Sequence, residues 1–317
     1  MSLLVISRAE VAAHLSYEAC IPLMRDAMVA LSQGRTKQLL RQIIDLDGGR
    51  MFGVMPGAMA ETLGAKLISV FPAAASGAPS HQGVVAFFDP TTGAPAAILD
   101  ASELTGIRTA AASAAATDAL AREDARTLAI LGTGEQALRH VEAIRMVRPI
   151  DSVTIWGRSR DKAQALAARV GGRVADDVRQ AVEAADIVCT VTASPEPILL
   201  GRWVAPGTHF NLVGSSRAGP VEVDTDLVRR SRLFADHEEG VRRQGAELLK
   251  AIEEGGVDDD HLLGEIGEVF AGTLEGRTGR HDVTAYKSLG SIVQDLAAGW
   301  YLVRKARAEG WGTSVPF

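Results

Sequence analysis

A glycine-rich stretch near the middle of the chain has the residue types and spacing that allow a phosphate to approach the backbone closely. Gly132, Gly134 and Ala137 follow the apolar run TLAILG in a G-x-G-x-x-A pattern. The first glycine permits a tight strand-to-helix turn, the second removes a Cβ from the path of a pyrophosphate, and the alanine lets the helix pack on the strand. The free N–H groups at the start of that helix attract phosphate. The stretch therefore predicts a dinucleotide-binding turn.

The end of the next predicted strand, SVTIWG, indicates which dinucleotide is bound. An acidic residue there would bind the ribose 2′-hydroxyl of NAD. This chain has Arg158 and Ser159 instead, while Asp151 precedes the strand and Asp161 lies beyond the turn. A guanidinium and a hydroxyl suit a 2′-phosphate, which favours NADPH over NADH. If Arg158 only stacks on the adenine, either cofactor would be accepted.

Three basic residues in the first half of the chain interrupt apolar segments. Arg41 lies in LLRQII, Lys66 in GAKLIS and Arg108 in TGIRTAA. Burial of such head groups is costly unless an anion is present, so together they predict an anionic substrate. The alternative is that each lays its aliphatic stem on apolar surface and keeps its charge in water. His81 in PSHQG is subject to the same two interpretations.

The segments around the glycine turn predict the fold class. From Thr127 onward, apolar runs without polar alternation are separated by helices, which is typical of a parallel sheet covered on both faces. We therefore predict an α/β protein with a Rossmann-type doubly wound parallel sheet. The predicted strands of this sheet are TLAILG, SVTIWG, GRVAD, DIVCTVT, THFNLVG and RLFAD.

The two ends of the chain differ from this central region. Residues 7–34 predict two helices that start at Ser7 and Ser16, and residues 37–100 predict short strands with a hairpin at DPTTGAP. An alanine-rich helix follows from Ala101. The last part is predicted to be helical in three segments, EGVRRQGAELLKAIEEG, LLGEIGEVFAG and KSLGSIVQDLAAGWYLVRKARAEG.

Composition excludes several classes of protein. The net charge of −6 comes without a basic stripe, which argues against binding to nucleic acid. No apolar run approaches 18 residues and the first residues lack a signal-peptide pattern, so we expect no membrane segment and a cytoplasmic location. Cys20 and Cys189 stand apart and predict buried thiols. We see no cluster with metal-ligand spacing and expect no metal.

Many motifs of the chain, taken together and in order, resemble the ornithine cyclodeaminase/mu-crystallin family. The resemblance implies a Rossmann dinucleotide-binding domain over residues 118–287. It also implies a discontinuous α+β substrate-binding and dimerisation domain over residues 1–117 and 288–317, and a homodimer. The motifs are GAKLISVFP, SHQGVVAFFDPTTGAPAAILD, LTGIRTAAASAAAT, LGTGEQA, WGRS, ADIVCTVT, EPILLGRWVAPGTHFNLVGSS, LGEIGEV and YKSLG.

The resemblance also implies roles for individual residues. Arg41 would bind the substrate carboxylate, Lys66 would be catalytic beside the substrate nitrogen and carboxylate, and Arg108 would contact both substrate and cofactor. The other cofactor contacts would be Gly132, Thr133, Gly134, Glu135, Gln136, Arg158, Ser159, Thr190, Thr192, Val213 and Ser288.

One departure from the family pattern narrows the expected chemistry. True ornithine cyclodeaminases resemble G-G-D after the N-x-V-G strand, and that aspartate handles the second amine of ornithine. Here the segment reads Gly214-Ser215-Ser216. A neutral hydroxyl cannot supply the charge that an ammonium needs. Ser216 therefore resembles the ketimine and imino-acid reductase branch, in which it would contact the substrate.

The expected reaction is NAD(P)H-dependent reduction of a 2-imino acid to an amino acid. Lys66 would keep the imine nitrogen protonated, and two nearby arginines would lower its pKa. The acceptor could be a cyclic ketimine such as pyrroline-2-carboxylate or an open-chain one such as iminosuccinate, where His81 or Arg217 could bind a second carboxylate. The alternatives are a cyclodeaminase, an alanine dehydrogenase-like enzyme and a non-enzymatic ligand-binding protein.

Overall fold

The computed structural model describes residues 2–71 and 81–317, with only the backbone of His81. These residues form two compact units, one of Met1–Arg108 with Ser291–Phe317 and one of Thr109–Gly290. The predicted boundaries lay at 117/118 and 287/288. The units divide at 108/109 and 290/291. The observed and predicted positions of the first boundary both fall inside one continuous helix, Ala101–Leu120.

Strands and helices are numbered along the chain. The strands are β1 (Ser2–Ile6), β2 (Lys37–Gln38), β3 (Gln42–Leu46), β4 (Arg50–Met59), β5 (Thr62–Val70), β6 (His81–Phe88), β7 (Pro95–Asp100), β8 (Thr127–Leu131), β9 (Ser152–Trp156), β10 (Arg173–Val174), β11 (Ile187–Thr190), β12 (His209–Leu212), β13 (Ser231–Ala235), β14 (Leu262–Glu265), β15 (Val283–Lys287) and β16 (Thr313–Pro316). The α-helices are α1 (Arg8–His14), α2 (Tyr17–Ser32), α3 (Ala101–Leu120), α4 (Glu135–Arg145), α5 (Arg160–Val170), α6 (Val178–Val182), α7 (Thr225–Arg230), α8 (Glu238–Gln244), α9 (Ala246–Glu253), α10 (Ile266–Ala271) and α11 (Ile292–Glu309).

The first unit contains a mostly antiparallel sheet with α2 and α11 packed together beside it. The strand order is β16-β1-β7-β6-β5-β4-β2, and β3 pairs with the first half of β4. Helix α11 contacts β4, β5 and β6. A Cβ on Gly299 would lie 2.3 Å from the Phe87 ring, so a glycine is what lets α11 approach the sheet closely. The middle of β5 is therefore covered by the first half of α11.

The second unit contains the predicted doubly wound parallel sheet. Its strand order is β10-β9-β8-β11-β12-β15-β13-β14, and all neighbours are parallel. The chain runs outward from β8 to β9 and β10, then returns to the other side of β8 at β11. In sheets of this kind, ligands bind beyond the carboxyl ends of the strands where the order reverses. That position lies between β8 and β11.

Several predicted elements are confirmed and others are wrong. Helices α1 and α2 begin after Ser7 and Ser16, whose side chains accept N–H bonds as predicted. Leu262–Glu265 is a strand and not a helix, the last helix starts at Ile292 and not near Lys287, and β1, β15 and β16 were not predicted. A short apolar run such as VTAYK fits a buried strand and a helix equally well, because periodicity alone does not separate them.

Both cysteines are buried thiols, as the sequence predicted. Cys20 and Cys189 are free and buried, and burial raises the pKa of each thiol to about 12. Such thiols are unreactive at neutral pH. Within the described ranges, no helix combines the length and the apolar character needed to cross a membrane.

Candidate active site

A buried carboxylate joins two of the predicted basic residues in the first unit. Lys66 Nζ on β5 lies 3.0 Å from Asp295 Oδ1 on α11. Arg108 Nε on α3 donates to the same oxygen at 3.1 Å. Lys66 and Arg108 are each 3% exposed and Asp295 is fully buried. The charge of Asp295 therefore offsets the cost of burying both cations in the interior.

Further hydrogen bonds fix the two cations. Lys66 Nζ also donates to Thr105 Oγ1 at 2.5 Å, and Arg108 Nη1 donates to Gln294 Oε1 at 2.7 Å. The second carboxylate oxygen, Asp295 Oδ2, is buried and has no hydrogen-bond partner among the described residues. The lysine–aspartate–arginine cluster thus contains one unused buried acceptor.

Sequence reasoning missed Asp295, although a signal was present. Ile292, Leu296 and Gly299 form the apolar stripe of α11, and Asp295 is three residues after the first of them. A carboxylate at that helical position must face the interior. Because its partners are on β5 and α3, the pairing itself could not be read from local sequence.

Burial and the neighbouring charges set the protonation of the cluster. Burial lowers the pKa of Lys66 to about 8; the Asp295 charge opposes this, and the Arg108 and Arg41 charges add to it. Arginine charges were expected to be the cause, but loss of hydration is the larger one. For Asp295, burial raises the pKa, but the charges of Arg108 and Lys66 outweigh it and hold the pKa below its ordinary value. Asp295 is therefore ionised at neutral pH.

Arg41 lies near this cluster on the connection between β2 and β3. It is half-buried, and its Nε donates to Met55 Sδ at 3.5 Å. Met55 is directly opposite Lys66 in the β4–β5 pairing. The structure therefore brings together all three basic residues that the sequence singled out.

The predicted dinucleotide turn has the geometry that its glycines require. Gly132 has φ of +135°, and a Cβ there would lie 2.8 Å from the Val191 carbonyl oxygen at the end of β11. Gly134 caps α4 without a side-chain hydrogen bond, and a Cβ there would meet nothing within 4 Å. Ala137 is fully buried. The turn before α4 therefore has open space at Gly134.

Other residues in the second unit fit a dinucleotide. Ser288 follows β15, is 2% exposed, and its hydroxyl has no hydrogen-bond partner among the described residues. The buried Gln136 Oε1 in the first turn of α4 likewise has none. Orphaned buried polar atoms at the carboxyl ends of the strands are what a bound polar cofactor would satisfy. When bound, NAD(P)H would be held by these residues and by the opening N–H groups of α4.

The segment after β9 places Arg158 and Ser159 beside the glycine turn. A Cβ on Gly157 would lie 2.5 Å from Thr133 Cγ2, so the two turns touch. Arg158 is exposed. Ser159 caps α5 by accepting the Lys162 N–H at 3.4 Å, a structural role that the sequence analysis did not assign.

A second buried carboxylate, Glu222, lies at the carboxyl ends of β11 and β12. Thr190 Oγ1 donates to it at 2.7 Å, and Thr192 donates through its N–H at 2.6 Å and its hydroxyl at 2.7 Å. The N–H of Gly214 donates at 2.8 Å. Glu222 is fully buried, and sequence reasoning missed it although it stands between the buried Val221 and Val223.

The remaining predicted residues lie in the same region of the second unit. Val213 donates its N–H to the Thr190 carbonyl. Ser216 is half-buried, two residues after Gly214. Glu135 is exposed in the first turn of α4. The described residues contain no group of three or more His, Cys, Asp or Glu arranged to hold a metal.

A parallel sheet with a glycine turn at its switch point defines an α/β protein of the dinucleotide-binding class. Comparison with known proteins then identifies the family. The model of the ornithine cyclodeaminase/mu-crystallin family matches residues 1–310. The chain belongs to this family.

Individual relatives span nearly the whole chain. Ketimine reductase mu-crystallin of Mus musculus is 37% identical over 303 residues, which cover 92% of this chain and 94% of the relative. The structure of Thermococcus litoralis Δ1-pyrroline-2-carboxylate reductase in complex with NADH and L-proline is 31% identical, covers 99% of this chain and 100% of that one, and superposes with a TM-score of 0.95. An archaeal alanine dehydrogenase dimer with bound NAD is 25% identical, covers all of both chains and has a TM-score of 0.95.

The glycine turn yields a prediction that separates cofactor binding from folding. We expect Gly134→Ala to weaken NADH binding at least about tenfold, roughly 1.4 kcal/mol, because the new methyl group occupies the space in front of α4. The unfolding free energy should change by about 1 kcal/mol or less, since nothing lies within 4 Å of that position.

Fluorescence titration with NADH and urea unfolding measure the two effects. Gly132→Ala is the contrasting variant, because its positive φ and the nearby Val191 carbonyl make it lose stability as well. Unchanged NADH affinity in Gly134→Ala would contradict the proposed path of the phosphates.

Proposed function

We propose that this protein reduces a 2-imino acid to the corresponding amino acid with NAD(P)H, and that the acceptor is a cyclic ketimine of the pyrroline-2-carboxylate type. The observation that carries the proposal is Lys66, a buried ammonium with a pKa of about 8 held by Asp295 and Thr105. Such a group can give up a proton near neutral pH. The names of the mouse and Thermococcus relatives support the choice of a ketimine.

The charge of the cluster suits a carboxylate substrate. Lys66, Arg108 and Arg41 carry three positive charges, and Asp295 supplies one negative charge. A substrate carboxylate would lower this excess, and Arg41 is a half-buried guanidinium able to hold it through two hydrogen bonds. The unused acceptor Asp295 Oδ2 suits the N–H of a protonated imine.

Each residue of the cluster has a separate role in the proposed reaction. Lys66 donates its proton to the imine nitrogen, which makes the adjacent carbon electrophilic. When bound, NAD(P)H would supply the hydride. Asp295 and Arg108 keep the lysine in place, and the neutral Lys66 regains its proton from solvent after the product leaves. In the product, the nitrogen keeps the proton from Lys66.

Ser216 separates this proposal from cyclodeamination. A diamino acid has a second ammonium that requires an anionic partner, whereas Ser216 is neutral. A neutral Ser216 does not distinguish a cyclic imine from an open-chain imine, so the open-chain imine is the alternative substrate.

We further propose a preference for NADPH over NADH. Arg158 is exposed next to the glycine turn and free to meet a 2′-phosphate. Ser159 uses its oxygen to cap α5 but still has its hydroxyl proton to donate. The neighbouring Arg160 is not available in the same way, because it is 2.5 Å from the Asp176 carboxylate.

A homodimer is proposed from the surface of the first unit. Strands β3 and β4 and their flanks expose large apolar side chains, and Ile44 and Leu39 are the most exposed of them. Such a patch on a water-exposed sheet is typical of an interface, and the archaeal neighbour is described as a dimer. The patch is formed by Ile44, Leu46 and Phe52 on one face of the β3–β4 pair, with Leu39 and Phe71 flanking the strands, while Ile43 is exposed on the opposite face. A cytoplasmic location accompanies this proposal, because free cysteines fit a reducing compartment.

The proposed reaction is tested by NADPH oxidation with pyrroline-2-carboxylate, compared with oxaloacetate plus ammonia and pyruvate plus ammonia. We expect the cyclic imine to be preferred. Because Lys66 must be protonated, kcat/KM for reduction should fall as pH rises through about 8, and the reverse oxidation should rise through the same range. Lys66→Ala should lower reduction more than about tenfold.

Lys37→Ala is the matched control for that variant, because Lys37 is an exposed lysine on β2, two strands away from β5 in the same sheet, and should not alter the rate. Reduction by Lys66→Ala within about tenfold of the original rate would rule out the acid role. Activity on none of the three acceptors would favour a ligand-binding protein instead.

The cofactor preference has its own test. Arg158→Ala should raise the KM for NADPH about tenfold or more, because a charged hydrogen bond to phosphate is lost, and should leave the KM for NADH almost unchanged. Arg160→Ala removes an adjacent guanidinium that is already paired with Asp176 and should affect neither. Equal effects of Arg158→Ala on both cofactors would show that Arg158 only stacks on the adenine.

The proposed interface is tested by Ile44→Asp, which places a charge in the apolar patch. We expect light scattering to show a monomer where the unchanged chain forms a dimer, since burial of an unpaired charge is costly. Leu263→Asp adds the same charge at an exposed leucine of the second unit and should leave the dimer intact. A dimer that persists in Ile44→Asp would show that the interface lies elsewhere on the protein.

A further inference from the structure

The second unit contains a buried carboxylate that the proposed reaction does not use. Glu222 is fully buried, and its two oxygens accept hydrogen bonds from three residues. One oxygen takes the N–H and the hydroxyl of Thr192, and the other takes the Gly214 N–H and the Thr190 hydroxyl. Two of these four donors are backbone N–H groups from different segments. Glu222 therefore ties the chain after β11 to the chain after β12.

The fit around Glu222 is tight. A Cβ on Gly214 would lie 2.4 Å from Glu222 Oε1 and 2.0 Å from the Thr192 carbonyl oxygen. No side chain can be accommodated there while the carboxylate keeps its position. Gly214 is therefore a glycine because the backbone of one segment must reach both the other segment and Glu222.

A buried lysine holds the next residue of the same loop. Lys287, at the end of β15, donates to the Ser215 carbonyl at 2.6 Å, and its ammonium lies 2.7 Å from Glu247 Oε2. Ser215 Oγ in turn donates to the Pro220 carbonyl at 2.5 Å. The loop 214–222, which carries Ser216, is thus fastened near both of its ends.

We propose that Glu222 is a positioning residue for the cofactor and for the loop that carries Ser216, acting through Thr190, Thr192 and Gly214. This rests on the proposed function, because Thr190, Thr192 and Val213 are the expected cofactor contacts at these strand ends. Glu222 does not touch the reacting atoms. It fixes the edge of the sheet against which a nicotinamide dinucleotide would lie.

The opposite edge of the same sheet provides a matched control. Asp186 directly precedes β11 and accepts the N–H groups of Arg126 and Thr127 at 2.8 Å and 2.9 Å, the Thr127 hydroxyl at 2.8 Å, and the Arg122 guanidinium. Like Glu222, it joins two parallel strands through backbone N–H groups. It lies at the amino ends of those strands, away from the glycine turn.

The experiment compares NADH binding and stability in Glu222→Gln, Glu222→Ala and Asp186→Asn. Glu222→Gln keeps one acceptor oxygen but turns an amide N–H₂ toward a backbone N–H, so we expect the Kd for NADH to rise about tenfold, and more for Glu222→Ala. Asp186→Asn should lower the urea midpoint while the Kd stays within about twofold. In the protein without cofactor, the Gly214 amide should exchange hydrogen faster in Glu222→Gln than in Asp186→Asn.

The outcomes separate this inference from the proposed function. If the unchanged protein binds neither NADH nor NADPH, the proposed function fails and the inference fails with it. If it binds NADH, and Glu222→Gln loses stability but binds NADH as tightly as Asp186→Asn does, only the positioning role is overturned. Should Glu222→Ala fail to fold, Glu222→Gln alone decides the question, through the Kd for NADH and the exchange rate of the Gly214 amide.

Discussion

The contact of Asp295 with two cations is the interaction on which the first unit depends. Lys66 is on β5, Arg108 on α3 and Asp295 on α11, so one carboxylate oxygen connects three elements that are far apart in the chain. Removing one partner from a buried charge cluster typically costs about 3–5 kcal/mol, because the remaining charge is left uncompensated. The cluster is therefore a constraint on packing as well as a chemical group. Its unused oxygen, Asp295 Oδ2, shows that it is not complete within the described residues.

The two units use buried carboxylates in a similar manner. Asp295 keeps an ammonium buried with a pKa near neutrality, while Glu222 holds backbone N–H groups at the carboxyl edge of the parallel sheet. Burial raises the pKa of Glu222, and its hydrogen bonds and the Lys287 charge oppose that rise. In both cases a group that would be unfavourable in an apolar core is compensated by donors from several segments. At both places the core contains a hydrogen-bonded charged group where apolar side chains would otherwise pack.

The sequence predicted the elements that obey one local rule. Gly132 and Gly134 define the turn, Ser7 and Ser16 start helices, and the apolar strands from Thr127 onward form the parallel sheet. The sequence also singled out Arg41, Lys66 and Arg108, which the structure brings together. The roles of these residues in the reaction stay predictions until they are measured.

What sequence reasoning missed depends on long-range pairing or on short strands. Asp295 is 229 positions from Lys66, and Glu222 is 32 positions from Thr190, so neither partner could be identified from a single sequence. Strand β15 is five residues long and entirely buried, which leaves no alternation to distinguish it from a helix. The edge strand β16 of the first sheet and its neighbour β1 are similarly short.

We conclude that Asp295 and burial together hold Lys66 at a pKa where it can exchange protons near neutral pH. The most direct test is NMR titration of the Lys66 side chain in protein labelled with carbon-13 at lysine Cε, assigned with Lys66→Arg. We expect a pKa of about 8 for Lys66, and a lower pKa in Asp295→Asn, because the carboxylate favours the ammonium. Titration of Lys66 near its ordinary value of 10.5, unchanged by Asp295→Asn, would contradict it.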